Sequence, residues 1–268
     1  MQRHSSSLMQ KTSSLQQQNP LTEVTPQMAK VIAVCGSPNG GKTTVAFKLA
    51  QEMYCNTDTG GVIFLSPSMT VPALGLLFPN YTPDSLFSLG GVLDNTDISQ
   101  ESILAHLVTV KDMPNFGCLG YKSDENKHSY AKLTDDKVNA FFNVLSEMAG
   151  YVFVECTEND DDLISRKAIN CADSVVLVLS PDLKGMTYYT ANKGLFGSND
   201  ERSFKVINST DNDLFLPIED VKAHLKNVSC TLPYSRQVRQ QLLDGQLYMR
   251  VNDKKYRKEL SNLIYKIM

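Results

Sequence analysis

Residues 31–53 constrain the fold of this chain more than any other stretch. An apolar, β-branched run, Val31–Cys35, leads directly into Gly36-Ser-Pro-Asn-Gly-Gly-Lys42-Thr43-Thr44. The segment Thr43–Met53 follows with helical spacing, Ala46, Leu49, Ala50 and Met53 falling on one face. A buried strand, a glycine-rich turn and a helix in immediate succession predict the first βα unit of an α/β protein. The loop fits the spacing GxxxxGK[ST] and stands in the strand–helix context that gives this motif its meaning. Its glycines let successive N–H groups converge on an anion, and the helix start adds unpaired donors and the positive end of a dipole. In that arrangement the Lys42 ammonium reaches β- and γ-phosphates and the Thr43 hydroxyl ligates Mg²⁺. The competing reading is an ordinary strand–helix turn with a chance Lys-Thr.

The rest of the chain repeats the alternation. Val62–Leu65, Tyr151–Val154 and Ser174–Leu179 are short apolar runs without polar alternation, as in strands covered on both faces. Asn115–Leu119, Phe204–Ile207 and Val228–Thr231 are weaker strand candidates. Helices are expected over Glu101–Val108, Asp135–Ala149, Val221–Lys226 and Lys255–Met268, and the stretch Pro67–Asn95 reads mostly as loop with short helical pieces. The prediction is a three-layer α/β domain over residues 28–268, its mostly parallel sheet of roughly six to eight strands flanked by helices. Residues 1–27 differ in kind. Ser5–Ser7, Thr12–Ser14 and Gln16–Gln18 are polar runs that cannot bury enough surface to order the segment, so a disordered tail is expected. It reads as a dispensable extension ahead of Met28, with a partner-binding tail as the alternative.

Glu155 ends the strand Tyr151–Val154. A carboxylate there lies at the C-terminal edge of a parallel sheet, where α/β folds bind ligands, and it is the candidate acidic partner of Mg²⁺. The alternative is a solvent-exposed strand end. The run Glu158–Asp162 reads as a solvated acidic loop, with supply of a further carboxylate as the second reading.

These blocks together resemble the ParA/MinD group of P-loop ATPases, with its CpaE/TadZ-like branch, from about Lys30 to the C-terminus. KVIAVCGSPNGGKTTVAFKLA is similar to the family's opening strand, loop and helix, and GVIFLSPSM stands where the second strand and first switch belong. AGYVFVECTEND resembles the second switch, and NCADSVVLVLSPD the ADxVxxVxxPD strand. KVINS resembles the strand ending in an adenine-contacting Asn, here Asn208. LPYSRQVRQQLLDGQLY resembles the segment whose proline, here Pro233, flanks the base. The resemblance implies a phosphate cradle of Gly36, Ser37, Pro38, Asn39, Gly40, Gly41, Lys42, Thr43 and Thr44. It also implies ATP and Mg²⁺ as cofactors and catalytic roles for Lys42 and Glu155.

Three departures bear on activity. The family's signature lysine, which crosses a sandwich dimer to the partner's phosphates, is replaced by Ser37, with Asn39 as a polar stand-in. The paired aspartates after the second strand are Ser66 and Ser68, whose hydroxyls position water but cannot act as carboxylate bases. Glu155 stands where the family has Asp, one methylene longer, which shifts metal–water geometry by about 1 Å. The reading is nucleotide binding with slow or absent hydrolysis, in a homodimerising platform that positions a secretion, pilus, conjugation or partition complex. A noncatalytic scaffold and a metabolic P-loop kinase or ligase are the alternatives.

Composition narrows the partners. With 26 Lys+Arg against 29 Asp+Glu the formal charge is −3, which disfavours a dedicated nucleic-acid binder. No apolar run approaches the ~20 residues of a spanning helix. The six cysteines form no CxxC pair and read as buried free thiols, pointing to a cytoplasmic protein. Residues 250–268 hold six basic and two acidic residues, a net +4, beside an apolar stripe of Tyr256, Leu260, Leu263, Ile264 and Ile267. Packing of that helix on the domain is expected, with contact to the inner membrane face as the second reading. DNA contact by this stretch with Arg236 and Arg239 is the least favoured.

Overall fold

A computed structural model of the chain describes residues 28–57, 60–79, 88–110, 112–159, 161–194, 201–209 and 216–268. The expected tail, 1–27, lies outside the described residues.

Eight strands form one sheet: β1 (Lys30–Gly36), β2 (Val62–Ser66), β3 (Val108–Val110), β4 (Met113–Gly120), β5 (Tyr151–Glu155), β6 (Ser174–Leu179), β7 (Ser203–Asn208) and β8 (Val228–Leu232). Their order is β3-β4-β2-β5-β1-β6-β7-β8, and only the edge pair β3–β4 is antiparallel. β1 is central, with Val34 opposite Glu155 of β5 and Gly36 opposite Val178 of β6. This register brings the ends of β1, β2, β5, β6 and β7 to one edge of the sheet, where ligands of open α/β sheets bind.

The helices are α1 (Lys42–Asn56), α2 (Ala73–Leu77), α3 (Leu89–Asp94), α4 (Gln100–His106), α5 (Asp135–Met148), α6 (Leu163–Cys171), α7 (Leu183–Asn192), α8 (Ile218–Leu225), α9 (Arg236–Leu243) and α10 (Lys254–Ile267). Strand residues alternate between two cores. Ile32 and Val34 join α1 and α10 on one face, whereas Ala33 and Cys35 join α5 and α6 on the other. The result is the expected three-layer α/β fold. Phe47 of α1 packs edge-on against Phe64 and Phe116, with ring centroids 5.3 and 5.6 Å away, and this fixes α1 over β2 and β4.

Several sequence expectations shift. The helix expected over 101–108 ends at His106, and Val108–Val110 pairs with β4, as its β-branched valines and threonine favour. Helices α6, α7 and α9 were not expected. Their signal was the caps: Asp162, Asp182 and Ser235 accept from the N–H groups of Ile164, Gly185 and Val238. Cys55 and Cys171 are exposed, so the reading of buried thiols holds for Cys35, Cys118, Cys156 and Cys230. The stripe of α10 is buried against α1 and β8, so its apolar face packs on the domain as expected. Among the described residues no helix is long and apolar enough to cross a membrane.

Candidate functional site

The loop between β1 and α1 is shaped by two glycines and an asparagine. A Cβ at Gly36 would collide with the Val178 carbonyl of the neighbouring strand. Gly41 has φ 80° and Asn39 φ 60°, left-handed values that Gly adopts freely and Asn tolerates. The Gly40 N–H donates to Ser37 O at 2.9 Å, closing the turn, and the Val45 N–H donates to Gly41 O at 2.9 Å, opening the helix. The N–H groups of Lys42, Thr43 and Thr44 therefore precede the helical ladder and remain as donors for an anion.

Three side-chain contacts converge beside this cradle. The Thr43 hydroxyl donates to Glu155 Oε1. Ser66, at the end of β2, donates to Glu155 Oε2 at 2.8 Å. Lys42 Nζ lies 2.6 Å from Glu158 Oε1. Glu155 is buried, not a solvent-exposed strand end. Burial raises its pKa above the ordinary carboxylate range, and the Thr43 hydroxyl, the Lys42 charge and the Ser66 hydroxyl oppose that rise. A buried carboxylate already aligned on the Thr43 hydroxyl fits a divalent cation, which would lower its pKa again.

Ser37, the second residue of the loop, is 1% exposed. It accepts from Ser180 N–H at 3.3 Å, and its hydroxyl lies 3.4 Å from that of Ser180. It is thus turned into the loop's interior and cannot reach across an interface. Asn39 is exposed at the loop's apex and borders both compartments of the site. Ser68 borders the cleft, whereas Ser66 is buried against Glu155.

A cleft of about 1280 Å³ opens over the cradle, lined by Ser37, Pro38, Asn39, Gly41 and Lys42–Thr44 with the Glu155–Glu158 segment. A smaller pocket of about 160 Å³ adjoins it, lined by Asn39, Asn208, Tyr234, Ser235 and Arg239 among others. Asn208 donates to Gly40 O at 2.9 Å, tying the smaller pocket to the loop. Pro233 does not line this pocket; Tyr234 and Ser235 do. Gly36 and Gly40 shape the loop from behind and line neither space. Among the described residues, Arg239 of α9 is the one charged side chain bordering both spaces, a position no local motif marks.

The acidic run is corrected in part. Asp162 is a structural cap, accepting from Ile164 N–H, Thr157 Oγ1 and Ser165 Oγ. Glu158 leaves the solvated loop to pair with Lys42. Asp160 lies outside the described residues.

No protein-family model and no curated protein matches the sequence. Solved structures do match in fold. A ParA family ATPase from Chlorobium tepidum superposes with a TM-score of 0.70 at 14% identity, over 88% of this chain and 98% of its own. The Pyrococcus furiosus cell division ATPase MinD gives 0.66 at 18%, over 90% and 98%. An ATP complex of a Cyanothece McdA variant gives 0.67 at 16%, over 90% and 97%. At such identities the fold is shared: this chain has the α/β fold of ParA- and MinD-type P-loop ATPases.

Proposed function

We propose that the chain binds Mg·ATP in this cleft and works as a nucleotide-dependent homodimer that positions a partner complex. The observation that carries the reading is the convergence of Lys42, Thr43 and buried Glu155 on one glycine-shaped loop at the sheet's C-terminal edge. Lys42 and the free N–H groups of the cradle would hold the phosphates, and Thr43 with Glu155 would hold the cation. Bound Mg²⁺ supplies charge neutralisation of the phosphates. Asn208, Tyr234 and Ser235 border the space for the base.

Slow or absent hydrolysis is part of the proposal. Ser66 spends its hydroxyl on Glu155, and Ser68 carries no carboxylate that could activate water. The buried Ser37 also removes the long cation that crosses the interface in the resembled family, so any dimer must form without that contact. The partner machinery proposed is of the secretion, pilus, conjugation or partition kind, at the cytoplasmic face of a membrane.

Calorimetry with Mg·ATP tests the reading. Wild-type protein should bind, and Lys42→Ala should weaken binding by about 10- to 100-fold, the value of a charged hydrogen bond. No wild-type binding at millimolar ATP sinks the proposal. Light scattering with and without Mg·ATP tests dimerisation.

A further inference from the structure

The pairing of Lys42 with Glu158 places an anion on the cradle's own cation. The Lys42 side chain is 11% exposed and Glu158 is 42% exposed, so the lysine is enclosed while its partner has room to leave. A carboxylate and a phosphate oxygen seek the same N–H donors of one ammonium at similar distances.

We propose that Glu158 is an intramolecular competitor for the phosphate site, holding on Lys42 the place of a β- or γ-phosphate until nucleotide displaces it. This rests on the nucleotide-binding reading above and names how that site is regulated.

The surrounding segment is built for such an exchange. On one side, Cys156 N–H donates to Val34 O at 2.9 Å, anchoring the chain to β1. Thr157 N–H donates to Ser165 Oγ at 2.8 Å. On the other side, Asp162 caps α6. Glu158 lies between these anchors, so its release from Lys42 leaves Glu155 and α6 in place. Once displaced, the carboxylate lies close to the incoming phosphates and is repelled by them. Nucleotide binding therefore moves the Glu158 side chain off Lys42 at the rim of the cleft.

The isosteric variant Glu158→Gln in the full chain separates the possibilities. Equilibrium binding of ATP, ADP and adenosine is measured for wild type, Glu158→Gln, Lys42→Ala and the double variant. The expected result is a 3- to 10-fold gain for ATP and ADP in Glu158→Gln, none for adenosine, and no gain when Lys42 is also removed. Wild-type binding with Glu158→Gln unchanged overturns the inference. Weaker binding in Glu158→Gln also overturns it, because Glu158 would then assist the ligand or its cation. Wild-type protein that binds no nucleotide overturns the functional reading itself, and the inference with it.

Discussion

Two lysines on α1, six residues apart, have opposite fates. Lys42 opens the helix, faces the cleft and pairs with a carboxylate that has room to move. Lys48 is 1% exposed and donates to the carbonyls of Leu247 (2.5 Å) and Met249 (2.6 Å) and, at 3.4 Å, to Gln51 Oε1. Gln51 reinforces the contact by donating to Tyr248 O at 2.6 Å. One turn on, Glu52 accepts from Ser261 of α10 at 2.6 Å. The front of α1 thus meets a part-exposed carboxylate at a cleft, and the back meets backbone carbonyls in the core. Under the proposed function, the same charge serves binding at one end and assembly at the other.

The largest effect expected from breaking this contrast is at Lys48. Lys48→Ala leaves two buried carbonyls without donors and opens a void, which should cost about 2–4 kcal/mol of stability in urea unfolding. ATP affinity of the folded protein should change less than about twofold. A stability loss below about 0.5 kcal/mol would refute the buried role. The pH dependence gives a second handle on the same residue. Burial lowers the Lys48 pKa from 10.5 to about 7. Below pH 7 both folded and unfolded chains hold the proton. Between 7 and 10.5 only the unfolded chain holds it, so wild-type stability rises with pH across that window. Measured against Lys48→Met, wild type should gain at least about 1 kcal/mol there.

The fate of Lys48 was not legible from spacing. The sequence marks Ala46, Leu49, Ala50 and Met53 as the buried face, but Val45–Met53 is buried without a break. The partners that permit burial of Lys48, Gln51 and Glu52 come from around 200 residues later in the chain, beyond the reach of any local pattern. The front of the helix was legible because strand, loop and helix are contiguous and every residue of the cradle is local. Glu155 was legible as a strand end. Its contact with Ser66 depends on β2 and β5 being neighbours, which only the sheet order reveals. Glu158 was hidden among acidic residues of which one, Asp162, does ordinary capping.

The next effect is at the cation. Glu155→Gln keeps the shape and removes the charge. The ratio of ATP affinities with and without Mg²⁺ should fall about 10-fold, equivalent to ~1.4 kcal/mol. Because burial raises the Glu155 pKa, acidification should remove the Mg²⁺ dependence of wild type above the pH at which an ordinary carboxylate titrates. An unchanged ratio in Glu155→Gln would show that the cation is held elsewhere.

The smallest effect sharpens the comparison with a third cation. Arg239 is exposed on α9 and borders both the large cleft and the smaller adjoining pocket. It has neither the enclosure of Lys42 nor the burial of Lys48, so solvent screens its field and its contribution should be modest. Where the two spaces meet, the part of a nucleotide joining base to terminal phosphates would pass, and a guanidinium there suits a phosphate oxygen. Arg239→Ala should weaken ATP by about 3- to 5-fold, ~0.6–1 kcal/mol, and leave adenosine unchanged. Arg239→Lys should recover part of the loss, since charge is kept and the planar fork is not. Equal losses for ATP and adenosine would assign Arg239 to the wall of the base pocket, with no part in holding phosphate.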